Sequence, residues 1–144
     1  MTKLLAQRVV QAPPSADDVV ELDYNERHRR RIQMQTLTGR EFLLDLPRAV
    51  ALADGDGLEL SDGTMVMVRA RAERVVDIRA KDAKGLTTLA WHLGNRHLPA
   101  EIRPDSIRIL YDHVIVEMLR GLGADTRALD APFHPEPGAY FHDH

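Results

Sequence analysis

Hydrophobic and polar positions alternate through the first half of the chain and recur at helical spacing in the second. In Arg31-Ile-Gln-Met-Gln-Thr, Ile32 and Met34 stand against Gln33 and Gln35, the period of a strand with one buried face. Thr38-Gly39 turns the chain into Glu41-Phe-Leu-Leu-Asp-Leu, which Pro47 closes. Asp54-Gly-Asp-Gly and Ser61-Asp-Gly supply two more turns around a short Leu58-Glu-Leu strand, and Met65-Val-Met-Val-Arg follows. Short strands separated by glycine turns predict a small barrel or sandwich, entered at Pro13-Pro14-Ser15, with no helix of note.

Near Arg71 to Arg74 the period changes. Val76, Ile78 and Ala80 share one face of a strand, and Leu86, Leu89, Ala90 and Leu93 then follow at the i, i+3, i+4, i+7 spacing of a buried helical stripe. The helix runs into Gly94, a residue suited to the left-handed turn that ends helices, and Pro99 forbids its resumption. Ala100-Glu-Ile-Arg and Ser106-Ile-Arg-Ile-Leu-Tyr read as strands about a Pro104-Asp105 turn. A second helix, capped by Asp112, carries Ile115, Met118, Leu119 and Leu122 and ends at Gly121-Leu-Gly123; a last strand is expected around Thr126 to Ala131. The order β-α-β-β-α-β is the ferredoxin-like pattern. From Pro132 onward three prolines and a glycine argue against a packed element. The expected fold class is therefore α+β: a small all-β module over 1–72, a ferredoxin-like βαββαβ module over 73–133, and a flexible tail over 134–144.

A length of 144 residues suits one domain or two small modules. The net charge of -3 creates no global field for nucleic acid or anionic lipid. The chain has no cysteine, so disulfides, thiolate zinc sites and iron–sulfur clusters are excluded, and any metal must be held by nitrogen or oxygen. Gln7 and Arg8 break the apolar start, against a signal peptide, and no run approaches the roughly 20 apolar residues of a membrane helix. The cytoplasm is the expected location.

Candidate chemistry lies with the histidines. His97 falls between the stops at Gly94 and Pro99, and its position leaves two roles open: metal ligand, or cap of the last helical carbonyls. His92 is roughly 140° from it along an ideal helix and reads as a surface residue. A two-fold dimer would bring a second His97 close. Trp91 points off the buried stripe, toward either such an interface or the other module. His142-Asp-His144 places two imidazoles on one side of an extended chain, roughly 7 Å apart. His113 opens the second helix and is expected to be structural; His28, within the basic run Arg27 to Arg31, reads as surface on a solvated lead-in to a strand.

Gly94-Asn-Arg-His-Leu-Pro99, preceded by Gly85-Leu-Thr-Thr-Leu-Ala-Trp-His92, closely resembles the urease accessory protein UreE family, the dimeric nickel chaperones of urease. The similarity extends over about residues 20 to 140. It includes Thr36-Leu-Thr-Gly-Arg40, Leu44-Asp-Leu-Pro-Arg48, Leu52 to Gly63, Val66 to Ala70, Asp112-His-Val114 and Pro135 to Tyr140. The resemblance implies that His97 binds metal with help from His142 and His144. It also implies that Ni(II) is the cargo, with Zn(II) or Cu(II) able to bind in vitro. The expected partners are a second copy of the chain, apo-urease and other urease accessory proteins, including the accessory GTPase, with the N-terminal module as a partner or peptide contact. Some relatives carry a further histidine where this chain has Tyr111, which weakens a secondary metal site there.

No enzyme is expected: the chain has neither a His-Glu-x-x-His helix nor a GxxxxGK[ST] phosphate loop. The alternative reading is a nucleic-acid- or protein-binding adaptor with incidental metal binding. For nucleic acid it would rest on the arginine run, which lacks an aromatic platform. The expected partners therefore include no nucleic acid and no membrane.

Overall fold

Two strands that the alternation does not reveal organise the first half of the protein. A computed structural model describes residues 3–137 and separates the chain into two units, Met1–Arg71 and Ala72–His144. The first unit contains β1 (Leu5–Val10), β2 (Asp18–Leu22), β3 (Arg31–Gln35), β4 (Glu41–Asp45), β5 (Gly57–Leu60) and β6 (Met65–Ala70), in the order β2-β6-β5-β1-β4-β3. The runs from β3 to β6 are those expected. β1 and β2 are additions, and each makes a parallel pair, β1 with β4 and β2 with β6. Of β1 only Ala6 is fully buried, so its sequence carries little strand signal.

The inward residues Val20, Phe42, Leu44, Leu58, Val66 and Val68 are each 1% exposed or less and form one cluster. At roughly 1.5–3 kcal/mol for each large side chain withdrawn from water, this cluster is the main cohesive term of the unit. The two outermost strands meet at one end. The Leu37 N–H, just past β3, donates to the Val19 carbonyl at 2.8 Å, and the Thr38 hydroxyl donates to Asp18 at 2.5 Å. Hydrogen bonding from Thr36 and Thr38 holds the Asp18 carboxyl below the ordinary carboxylate value.

The basic run is not uniformly solvated. Asp23 and Glu26 exchange backbone-to-carboxylate bonds at 2.9 and 2.8 Å, a capping box that starts a 3₁₀ turn over Glu26–His28. That turn draws Arg27 inside, to 2% exposure. His28, expected at the surface, is half-buried with its Nδ1 2.7 Å from the Tyr24 carbonyl. Arg29, Arg30 and Arg31 remain exposed.

The second unit follows the expected element order: β7 (Glu73–Arg79), α1 (Ala83–Asn95), β8 (Glu101–Ile102), β9 (Ile107–Leu110), α2 (His113–Gly121) and β10 (Asp125–Ala131). The sheet runs β10-β7-β9-β8 with every pair antiparallel. Asp82 caps α1 through the Gly85 N–H at 2.7 Å, and Asp112 caps α2 through the N–H groups of Val114 and Ile115. Val76, Ile78, Ile107 and Ile109 of the sheet pack with Leu89 and Leu93 of α1 and with Val116 and Leu119 of α2. Leu122, expected on the buried stripe, is instead 46% exposed; α2 ends at Gly121, and Val116 fills the core position.

Alternation puts Asp77 on the sheet face opposite Val76 and Ile78. There Arg108 forks onto its carboxylate, with Nε at 2.7 Å and Nη2 at 3.1 Å. The hydrogen bond from Arg108 lowers the Asp77 pKa below its ordinary value. Arg108 Nη1 also reaches the Pro132 carbonyl at 3.4 Å. The segment Pro132–Pro137 is accordingly not loose. Phe133 is fully buried, the His134 N–H donates to Glu101 at 2.9 Å, and the Glu136 N–H donates to the Ala100 carbonyl at 2.9 Å. Proline excludes a regular element here but not packing, since Pro132, Pro135 and Pro137 have no N–H to satisfy.

Asp77→Ala leaves a largely buried guanidinium without its carboxylate. The expected loss is about 3 kcal/mol in denaturant unfolding, read from signals of the second unit. Because the folded pKa is depressed, the pair contributes fully above the ordinary aspartate value near 4. That contribution disappears as pH falls through the lowered one, so wild type and variant should converge in acid.

Candidate metal centre

The end of α1 is built around one residue in an unusual backbone conformation. Arg96 closes the helix, and His97 follows with φ 57°, in the left-handed region. The His97 N–H donates to the Gly94 carbonyl at 3.0 Å and the Leu98 N–H to the Leu93 carbonyl at 3.2 Å. These are the two bonds of a Schellman turn, and Leu98 packs onto the core that contains Leu93. Gly94, expected to make the left-handed turn, lies inside the helix and supplies only its carbonyl. The Leu93–Leu98 pair decides the matter, because the apolar contact of this turn spans five residues and places the left-handed position at 97.

The second helix provides an internal comparison. Its end repeats the same pair of bonds, Gly123 N–H to Arg120 O and Ala124 N–H to Leu119 O, both at 3.0 Å. The left-handed residue there is Gly123, with φ 89°. Glycine takes this conformation freely, whereas a residue with a Cβ meets the following carbonyl at a cost of about 1 kcal/mol or more. The fold therefore accepts glycine at this turn, and α1 carries an exposed histidine instead. The backbone N–H groups of Arg96, His97 and Leu98 cap the end of α1.

An apolar groove begins at the next residue, lined by Leu98, Pro99, Leu110, Tyr111 and Ile115. Tyr111 and Val114 nearby are 47% and 59% exposed. Trp91, on α1, is 63% exposed, and its ring meets His92 edge-on at 5.1 Å. His92 is half-buried. His97 has left the helix, so the rotation angle expected between the two does not describe them. His113 is exposed at the first turn of α2, and His134 is exposed with its backbone N–H held by Glu101.

His142 and His144 lie outside the described residues. Among the described residues no three histidine or carboxylate side chains gather as a set able to hold a metal ion. Of the described histidines, His97, His113 and His134 are exposed, and none of them belongs to such a set among the described residues. Sequence reasoning singled out His97 as a candidate but not its left-handed backbone. The five-residue spacing from Leu93 to Leu98 was the available signal.

Two family models cover the chain: the UreE urease accessory protein N-terminal domain over residues 1–71, and its C-terminal domain over residues 73–144. Among curated relatives, a urease accessory protein UreE of Rhodopseudomonas palustris (strain BisB18) is 53% identical over 136 residues, 90% of this chain and 64% of that protein. The protein of that name from Bradyrhizobium sp. (strain ORS 278) is 54% identical over 126 residues, 88% of this chain and 60% of its own length. That of Chelativorans sp. (strain BNC1) is 54% identical over 125 residues, with 87% and 79% covered. The chain thus spans less than two thirds of the first two relatives. With both of its units matched in order and half its residues shared with these proteins, the chain belongs to the UreE urease accessory protein family.

Proposed function

We propose that this protein is a nickel chaperone of urease maturation rather than an enzyme. It binds Ni(II) through His97 from two copies of the chain on a dimer axis, with His142 and His144 supplying further imidazoles. The observation that carries this reading is the exposed histidine at a left-handed position that the companion helix fills with glycine. Strain of this kind persists where a side chain is wanted for something other than folding. The names of the relatives supply the process, and the resemblance supplies the ion.

Several features support the arrangement. His97 by itself holds a cation weakly, and a two-fold axis would bring a second His97 to it without further sequence. The apolar groove that starts at Leu98 and the exposed Tyr111 and Val114 offer a surface that a second copy would cover. All-nitrogen ligation with few ligands per chain makes binding reversible, which delivery to apo-urease through the other accessory proteins, the GTPase included, requires. Zn(II) and Cu(II) suit the same donors. The strand order β10-β7-β9-β8 supports reading the second unit as ferredoxin-like. The N-terminal unit is read as the partner contact and the whole as cytoplasmic; no described helix is long and apolar enough to cross a membrane. A nucleic-acid adaptor is disfavoured, because Arg27 is buried and Arg30 and Arg31 share Asp45.

Calorimetric titration with nickel should lose its main binding event in both His97→Ala and His97→Gly. The two variants part company in stability. His97→Gly should exceed His97→Ala by about 1 kcal/mol in denaturant unfolding, since only glycine adopts the turn without strain. Nickel binding unchanged in either variant rejects His97 as the ligand. Sedimentation should report a dimer, retained when residues 138–144 are removed although nickel binds more weakly. A monomer at every concentration rules out the shared site.

A further inference from the structure

A cleft opens on the outer flank of α2, where the sheet beneath it is built from small residues. Val116 and Leu119 pack the helix onto Val76 and Ile78 of β7. The edge strand β10 sets only Ala128 opposite Val76 and Thr126 opposite Ile78, on the same face of the sheet. The helix flank therefore stands over a low strip, and the cavity between them measures about 230 Å³. Its helix wall follows the i, i+3, i+4, i+7 spacing from His113 through Val116 and Glu117 to Arg120, and Arg74 enters from β7. Two guanidiniums are anchored here without being satisfied. Arg120 Nε donates to Thr126 Oγ1 at 3.0 Å, which leaves both of its Nη groups. Arg74 lies 6.0 Å from the centroid of the Tyr111 ring and 3.7 Å from Asp130, beyond hydrogen-bond reach. Among the described residues neither guanidinium has a further partner, and Glu117 pairs with neither arginine. Around the axis of α2, Arg120 is roughly 40° from the core residue Val116 and Glu117 roughly 100° from it. The arginine is the deeper of the two, and Glu117 stands at the rim.

We propose that this cavity binds one carboxylate group, held between Arg74 and Arg120. A guanidinium fork matches the two oxygens of a carboxylate, and the charge on both sides strengthens the hydrogen bonds. Two arginines against one lining carboxylate leave a single positive charge to be balanced, which suits a monoanion better than a dianionic phosphate. The volume falls below the roughly 300–1,000 Å³ of pockets for larger ligands, so it admits a carboxylate and a few carbons. Either a free small carboxylic acid or an acidic side chain of a partner protein supplies that chemistry. The site stands apart from the reading of His97. Tyr111 is the one lining residue it shares with the groove that starts at Leu98, so the cavity opens beside the surface a second copy would cover.

Acetate is the probe for a free acid. N-acetyl-glutamate α-amide, whose one charge is a side-chain carboxylate, is the probe for an acidic residue. Each is titrated at neutral pH and constant ionic strength into the isotope-labelled full chain and followed by NMR. At least one of them should produce saturable shifts at the Thr126 and Ala128 amides and at the Arg120 Nε–H, with the β8 amides unmoved. Arg74→Gln and Arg120→Gln should each weaken that binding about two- to fivefold, the range for a partly exposed charge pair. Glu117→Gln removes the repelling carboxylate at the rim and should strengthen it by a similar factor. Tighter binding of the glutamate derivative assigns the site to an acidic side chain, and equal or tighter binding of acetate assigns it to a free small acid. Shifts that fail to saturate, that spread over the exposed arginines of both units, or that survive Arg74→Gln and Arg120→Gln overturn the proposal. Unchanged or weaker binding in Glu117→Gln overturns it as well, because a solvated arginine surface without a bound carboxylate predicts no gain there. Inorganic phosphate binding more tightly than both probes overturns the assignment to a monocarboxylate.

Discussion

Two backbone hydrogen bonds at the end of α1, from His97 to Gly94 and from Leu98 to Leu93, set the local geometry on which the candidate site depends. They turn the chain out of the helix, return Leu98 to the core and leave His97 facing solvent in a conformation its Cβ resists. The bonds and the Leu98 contact together outweigh a strain of about 1 kcal/mol. If either anchoring contact were lost, His97 could relax to an ordinary conformation and the imidazole would point elsewhere. The His97 backbone is therefore held by hydrophobic burial one residue away, at Leu98, which leaves its side chain out of the packing.

The same end of the unit is supported from below. Arg108 joins β7 and β9 through Asp77 and also touches the Pro132–Pro137 strap, while Glu101 and Ala100 hold the strap to the edge strand β8. An exposed edge is a template for unwanted pairing, and a short edge strand covered by a proline-rich segment is one way to blunt it. The Pro132–Pro137 segment meets that edge by one main-chain bond, from the Glu136 N–H to the Ala100 carbonyl just before β8.

Much of this was legible in the sequence where signals are local. The alternation of Ile32 with Met34, and the stripe from Leu86 to Leu93, predicted elements that are present, because burial on one face writes itself into neighbouring residues. β1 and β2 were not legible. Each makes a parallel pair, their partners are distant, and Gln7 and Arg8 disguise the first of them. The Pro132–Pro137 strap was misread because proline content reports on regular structure, whereas Phe133 and two backbone donors do the docking. At the candidate site, His97 was singled out by its place between Gly94 and Pro99, and its left-handed backbone was missed. Gly94 drew attention to itself, while the Leu93–Leu98 spacing that fixes the turn was silent. Arg27 went astray for a similar reason: a run of charge hides the one member that the capping box of Asp23 and Glu26 turns inward.

The parallel pairing of β2 with β6 has a consequence during synthesis. Asp18 opposes Val66 and Leu22 opposes Ala70, so the second strand to be made waits for the sixth. Until then β2 lacks its partner strand in the sheet, and the first unit cannot close one strand at a time as it is made. Contacts so far apart along the chain slow folding, because the intervening loop must be ordered before they form. A ribosome halted before residue 70 would leave the sheet of the first unit open along β2 and β5, with apolar residues exposed to other chains.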